Sequence, residues 1–418
     1  MRIPMIFAGG LAVAALAAPA LALSPHYDIH ARLDLPAQTV GADVTITLPP
    51  EEVGHETSFV LGDWIKVDLA DGGPGSKVRI EPSDKPFKHV NKITFVYDKA
   101  PTHAVTLHFR YSGMFHSPDD KPLIDPKDGV EIGFEDVWVP VRPNFGLRFT
   151  ADADIAGIPA ADVPVAQGRV QHVGDHLIIH RAFTDMDMPF SALSGLHKAT
   201  GQDVEVYARD LNGVLQTAYR ENAGKIVAYY THLFGPLPAS ALPARLVVLP
   251  RQGAAYERRA YISVGDGTEE LKKIPHLEPW MLTATIAHEF AHGWWSNGDP
   301  LTENNWLNES FAEYSSLRFT EATYGEAALK TRLDPKIERA KTAGPVIGGG
   351  RPSSTAVYQK GPVLLFELDH QIGRAKMDKL LGVMGRDLPR TTEQFLKILS
   401  DVAGPQVAHD FEAKLRAP

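Results

Sequence analysis

The feature that most constrains this chain is a change of hydrophobic period near residue 200. Before it, apolar residues recur at every second position. Val40, Ala42, Val44, Ile46 and Leu48 form one run, Ile93, Phe95 and Tyr97 another, and Val105, Leu107, Phe109 and Tyr111 a third. A period of two places such side chains on one face of a strand, and clusters such as Asp71-Gly72-Gly73-Pro74 punctuate the runs as turns do. Residues 23–200 are therefore expected to form an antiparallel β domain. Past that point Val204 and Val206 continue a short strand, and then Val214, Leu215, Ala218, Tyr219, Ile226, Tyr229, Tyr230 and Leu233 recur at helical spacing. Gly235 and Pro236 supply the stop that such a helix needs. Residues 246–249 and 261–264 read as two more strands, helices dominate from Leu282 onward, and the glycine-rich stretch 343–350 reads as a long flexible loop. The expected class is α+β, with the β domain followed by a mixed α/β domain over 201–418.

Composition then excludes several functions. With 42 basic and 51 acidic residues the formal charge is −9, which argues against a nucleic-acid-binding surface. The absence of cysteine removes disulfides, thiol nucleophiles and thiolate metal sites. At the N-terminus, Arg2, an apolar run over residues 6–18 and the small-x-small triplet Ala20-Leu21-Ala22 describe a secretory signal peptide over residues 1–22. The expectation is an exported protein, periplasmic or extracellular, with no stable membrane insertion after cleavage. His172, His176 and His180 are spaced four apart, but Leu177-Ile178-Ile179 between them reads as strand, so they are not taken as a ligand row.

The chemistry concentrates at His288-Glu289-Phe290-Ala291-His292. On a helix this spacing sets the two imidazoles one turn apart on one face, about 5–6 Å between Cβ atoms. Both rings can then reach one zinc ion, with Glu289 beside them to activate water. A pentapeptide is short enough to arise by chance, so a second signal is needed. Trp306-Leu307-Asn308-Glu309, with Glu313 one turn further on, supplies it. Zinc held by two histidines takes a third protein ligand and keeps one open position. Spacing alone brackets Glu309 and Glu313 and does not choose. Glu313 could instead accept a hydrogen bond from the outer ring nitrogen of a histidine.

Taken together, His-Glu-x-x-His and Trp-Leu-Asn-Glu resemble the gluzincin peptidases of the aminopeptidase N (membrane alanyl aminopeptidase) family. The resemblance implies a thermolysin-like catalytic domain, one zinc per chain and Glu309 as its third protein ligand. It also implies a peptide substrate, with Glu289 as general base. Tyr358-Gln359-Lys360-Gly361 resembles the family's Tyr-x-Lys-Gly, which implies that the Tyr358 hydroxyl stabilises the oxyanion. Gly253-Ala254-Ala255-Tyr256-Glu257 resembles its Gly-x-Met-Glu-Asn, which implies that Glu257 binds the substrate's free α-amine. Three departures accompany the match. Tyr256 and Arg258 replace Met and Asn, the link between His292 and Glu309 is shorter than usual, and the family's C-terminal helical domain is expected to be missing. Two further readings stand beside the aminopeptidase: an endopeptidase or non-peptide hydrolase on the same site, and a binding module with a structural zinc. The unligated Glu289 argues against the last.

Overall fold

The computed structural model describes residues 24–85, 88–118, 121–267, 273–274 and 276–418; the expected signal peptide lies outside the described residues. The first part of the chain is built on a seven-stranded sheet. Its strand order is Arg169–Val173, His176–Asp185, Phe149–Ala156, His26–Asp34, Thr39–Leu48, Val105–Met114 and Ile65–Asp71. Two three-stranded sheets accompany it. One is Asp162–Ala166, Phe190–Ser194 and Gly129–Ile132; the other is Glu56–Gly62, Val90–Tyr97 and Ser76–Ser83. The alternating residues do go inside: Val44, Ile46, Leu48, Ile93, Phe95, Leu107 and Phe109 have no solvent exposure. Burial of this kind is the main favourable term in folding such a domain.

One expectation is corrected. The β domain is not wholly antiparallel, because His26–Asp34 runs parallel to Phe149–Ala156, with Tyr27 opposite Ala151. A period of two specifies which face is buried, whereas strand direction is set by a crossover of more than a hundred residues that leaves no local trace. The histidine row is strand, as read: His172 lies on Arg169–Val173, and His176 and His180 lie on the strand beside it.

The second part begins with a five-stranded sheet in the order His197–Thr200, Val204–Ala208, Ala244–Leu249, Tyr261–Gly265, Tyr256–Arg258. Its three central strands are parallel and its two edge strands antiparallel. The described residues carry eight α-helices: α1 Val214–Phe234, α2 Ala284–Ala291, α3 Trp306–Tyr324, α4 Glu326–Ala340, α5 Gly361–Ile372, α6 Arg374–Asp387, α7 Thr392–Ala403 and α8 Pro405–Arg416. Gly235 closes α1 at φ 93°, a conformation that suits glycine. Helix α1 buries Tyr219, Ile226, Tyr230 and Phe234, and the Tyr230 hydroxyl donates to the Ala287 carbonyl of α2 at 2.7 Å. No described helix is long and apolar enough to cross a membrane.

The glycine-rich stretch is more restrained than the sequence suggests. Val346 and Ile347 are buried, and their N–H groups donate to the Leu415 carbonyl at 2.8 and 3.3 Å. The Gly348 N–H donates to Glu303.

Candidate active site

Helix α2 is buried on every side from Ile286 onward, which is why its sequence shows little polar face: Ile286, Ala287, Phe290 and Ala291 are enclosed along with His288 and Glu289. Helix α3 packs against it and is itself buried from Trp306 to Asn308 and again from Ser310 to Thr320, with Glu309 left partly open to the cleft. The link between them is short because side chains close it. Asn308 accepts from the Gly298 N–H at 2.9 Å and donates to the Gly298 carbonyl at 3.0 Å. A Cβ at Gly298 would lie 2.4 Å from the Asn304 carbonyl, so only glycine fits there.

This packing brings three donor atoms together. The Nε2 atoms of His288 and His292 are 3.2 Å apart, and Glu309 Oε2 lies 3.5 Å from the first and 3.6 Å from the second. A tetrahedral ion with bonds of about 2.0–2.1 Å sets its ligand atoms roughly 3.3–3.4 Å apart, so the triangle has the right size for a first-row divalent cation. Among the described residues this is the one cluster of metal-ligating side chains that converges so closely.

The outer ring nitrogens are also committed. His288 Nδ1 donates to Glu313 Oε2 at 3.0 Å, and His292 Nδ1 donates to the Trp295 carbonyl at 2.8 Å. Each bond fixes the tautomer that turns a free Nε2 lone pair towards the shared point. Glu313 is held in turn by Arg332 at 3.0 Å and Lys336 at 2.9 Å. Its carboxylate therefore faces the outer edge of His288, and Glu309 faces the inner one.

Charge at the site favours a cation. Burial lowers the pKa of His288, but hydrogen bonds to Glu309 and Glu313 outweigh it and push the ring up to about 10. Burial alone would raise Glu309 and Glu313, yet the neighbouring cationic groups hold both well below the usual carboxylate range. The surrounding carboxylates thus favour positive charge at the place where a divalent ion would stand, and protons compete with it for the same ring nitrogens.

Around this centre lies a cavity of about 300 Å³ formed by both parts of the chain. Glu289 lines it beside the histidines, and burial holds its carboxyl above the ordinary range. Tyr358 stands on a single π-helical turn, Ala356–Lys360, with its ring 5.9 Å from that of His288, and burial together with the neighbouring Glu309 holds its hydroxyl above the usual phenol range. Such turns occur where a helix must re-aim a functional side chain. Here the turn is fastened by Ser310, whose hydroxyl donates to the Val357 carbonyl at 2.7 Å, and by Lys336, which donates to the Tyr358 carbonyl at 2.9 Å.

Glu257 sits on the sheet's edge strand and is only 7% exposed. No hydrogen bond or ion pair to its carboxylate is found among the described residues, and burial followed by the charge of Asp185 pushes it up to about 8. Arg258 does not neutralise it directly. Its guanidinium pairs with Asp187 at 3.3 Å and lies over the rings of Phe134 and Tyr256.

Several groups at the site had no signal in the sequence. Arg148 of the β domain pairs with Asp185 at 3.0 Å and donates to the Ser296 carbonyl at 2.7 Å, tying that domain to the link between α2 and α3. Asp185 and Asp187 flank Met186 just ahead of Pro189, a spacing that carries no motif.

No protein-family model matches the sequence, and no curated protein is significantly similar to it. Solved structures do match. Yeast LTA4 hydrolase aligns over 94% of this chain with a TM-score of 0.74 at 16% identity, the alignment spanning 67% of that protein. A two-domain M1 zinc metallopeptidase bound to L-arginine aligns with a TM-score of 0.73 at 17% identity, over 94% of this chain and 93% of that one. The M1 zinc metallopeptidase of Deinococcus radiodurans gives 0.72 at 17%, over 93% of each chain. The fold is that of the M1 zinc metallopeptidases. Sequence identity at this level carries the architecture alone, so the chemistry is argued from the residues.

Proposed function

We propose that this chain is an exported, zinc-dependent M1-type aminopeptidase that removes residues from the free N-terminus of peptides. The observation that carries the reading is the presence, in one cavity, of the His288, His292 and Glu309 triangle and of the unpaired buried carboxylate of Glu257. His288, His292 and Glu309 would hold zinc, which when bound supplies Lewis acidity to water and to a carbonyl oxygen.

The remaining steps belong to the protein's own groups. Glu289 takes the proton of the attacking water and delivers it to the departing amine; its elevated pKa suits a group that must both accept and release a proton. Tyr358 offers its hydroxyl to the carbonyl oxygen as negative charge develops there. Glu257 receives the substrate's α-ammonium, so that the first peptide bond falls beside the histidines. That Arg258 is engaged by Asp187 supports the exopeptidase reading over an endopeptidase, because Glu257 stays free for the amine. Glu313, with Arg332 and Lys336 behind it, orients His288 and does not bind the metal.

The test is metal content together with turnover. Purified protein should hold about one zinc per chain and hydrolyse unblocked peptides. A chelator should abolish the activity and added zinc should restore it. Glu309→Ala should lose the metal. Activity that survives complete removal of zinc would defeat the proposal.

A further inference from the structure

Three arginines line the cavity, and two of them are committed. Arg148 is bound to Asp185 and the Ser296 carbonyl, and Arg258 to Asp187 and its neighbour's carbonyl at 2.7 Å. Arg351 differs. It is exposed, it shares the cavity wall with Tyr358 and Glu309, and no described residue forms an ion pair or hydrogen bond with its guanidinium. Its backbone, in contrast, is held on both sides. Gly348 is fastened to Glu303, and Ser353 caps the π-helical turn, its hydroxyl accepting from the Ala356 N–H at 3.2 Å and its carbonyl from the Val357 N–H at 3.1 Å. An anchored loop thus presents a free guanidinium at the reaction centre. The Arg390 guanidinium also has no ion pair or hydrogen bond among the described residues, and its charge lowers the pKa of Arg148. Arg351 thus brings unpaired positive charge to a cavity whose metal centre is ringed by carboxylates.

We propose that Arg351 is a receptor for a carboxylate on the leaving-group side of the scissile bond, which makes the enzyme prefer peptides that are negatively charged there. This rests on the aminopeptidase reading, because Glu257 then occupies the amine side and the rest of the substrate must extend elsewhere in the cavity. Planar guanidinium is the side chain best shaped to grip a carboxylate with two hydrogen bonds. The carboxylate can come from the C-terminus of a short peptide or from an acidic residue after the cleaved bond, and both present the same group.

Four peptides separate these sources: Ala-Ala-Ala as free acid and as C-terminal amide, and Ala-Asp-Ala-amide against Ala-Asn-Ala-amide. Their kcat/KM values are measured on the zinc-loaded enzyme, and their Kd values by calorimetry on the zinc-loaded Glu289→Gln variant, which needs no turnover. The charged member of at least one pair should be favoured about 5- to 10-fold, mainly through KM and Kd, and less so at high salt. A preference in the first pair alone assigns the C-terminal carboxylate, and one in the second alone assigns the acidic side chain. Arg351→Gln should erase the preference and leave the uncharged peptides within about 2-fold, while Arg351→Lys should retain part of it. If both ratios are near one in the wild type, or persist in Arg351→Gln, the proposal is overturned. Wild-type failure to cleave any of the four, with the calorimetric preference intact, would sink the peptidase reading and leave the carboxylate receptor standing.

Discussion

Gly361→Ala is a small substitution whose consequence can be worked out from the packing around it. A Cβ at position 361 would lie 2.0 Å from Ser310 Oγ and 2.7 Å from Ser310 Cβ, against ordinary contacts of 3.4–4 Å. Rotating the Ser310 hydroxyl away would break its bond to Val357, and the contact with Ser310 Cβ would still require about 0.7 Å of movement between α5 and α3. Neither is free to yield cheaply, because Ser310 is fully buried and its hydroxyl holds the Val357 carbonyl. Ser310 follows Glu309 and Val357 precedes Tyr358, so the strain falls between the third metal-binding group and the oxyanion donor. Overpacking of this kind costs about 1–3 kcal/mol of stability. A displacement on the order of 1 Å at reacting groups lowers turnover roughly 100-fold. The assay is kcat for an unblocked peptide at confirmed zinc content, alongside denaturant unfolding. Ser310→Gly in the same chain removes both clashing atoms and should recover part of the lost turnover, despite its own helix cost of about 1 kcal/mol. A Gly361→Ala protein with wild-type kcat and stability would refute the reasoning.

Glu313→Ala leaves Arg332 and Lys336 buried without their carboxylate and frees the His288 ring, so zinc affinity should fall about 10- to 100-fold and stability by about 3–5 kcal/mol; competition with a fluorescent chelator and chemical unfolding measure the two. Glu289→Gln should keep its zinc and lose several orders of magnitude in kcat, and near-normal turnover at full metal occupancy would remove it as the general base. Burial first, and then the charge of Asp185, push Glu257 up to about 8, so its carboxylate is lost as pH falls through that value. Asp185→Asn should lower that pKa and carry the acid limb of kcat/KM for unblocked peptides to lower pH, with the basic limb still set by the substrate amine near about 8. An unmoved acid limb would show that Asp185 does not tune Glu257.

What the sequence disclosed follows from how local each signal is. Alternation at Val44, Ile46 and Leu48 and at Leu107 and Phe109 marks a buried face directly, and those residues are buried. The helical spacing of His288 and His292 likewise forces their rings together. The parallel pairing of His26–Asp34 with Phe149–Ala156 joins segments far apart in sequence, and no local period encodes it. The same limit hid Arg148 and Asp185, whose meaning arises only where the β domain meets the link after α2. Choosing between Glu309 and Glu313 exceeded what spacing can do, since both lie on one face of α3. Tertiary packing separates them, turning one carboxylate to the inner nitrogens and the other to the outer nitrogen of His288. The stretch 343–350 looked free because glycine loosens a chain, and its restraint comes from Val346 and Ile347, which bind the last turn of α8.

The central claim is that one cavity both cuts the peptide bond and holds the free N-terminus. It is tested most directly by the ratio of kcat/KM for a free peptide to that for its N-acetylated form, in the zinc-loaded wild type and in Glu257→Ala. Removing one partner of a desolvated ion pair costs about 2–5 kcal/mol. The wild-type ratio should therefore be large, and Glu257→Ala should collapse it by lowering the rate on the free peptide while the acetylated one changes little. A wild-type ratio near one that Glu257→Ala leaves unchanged would contradict the account.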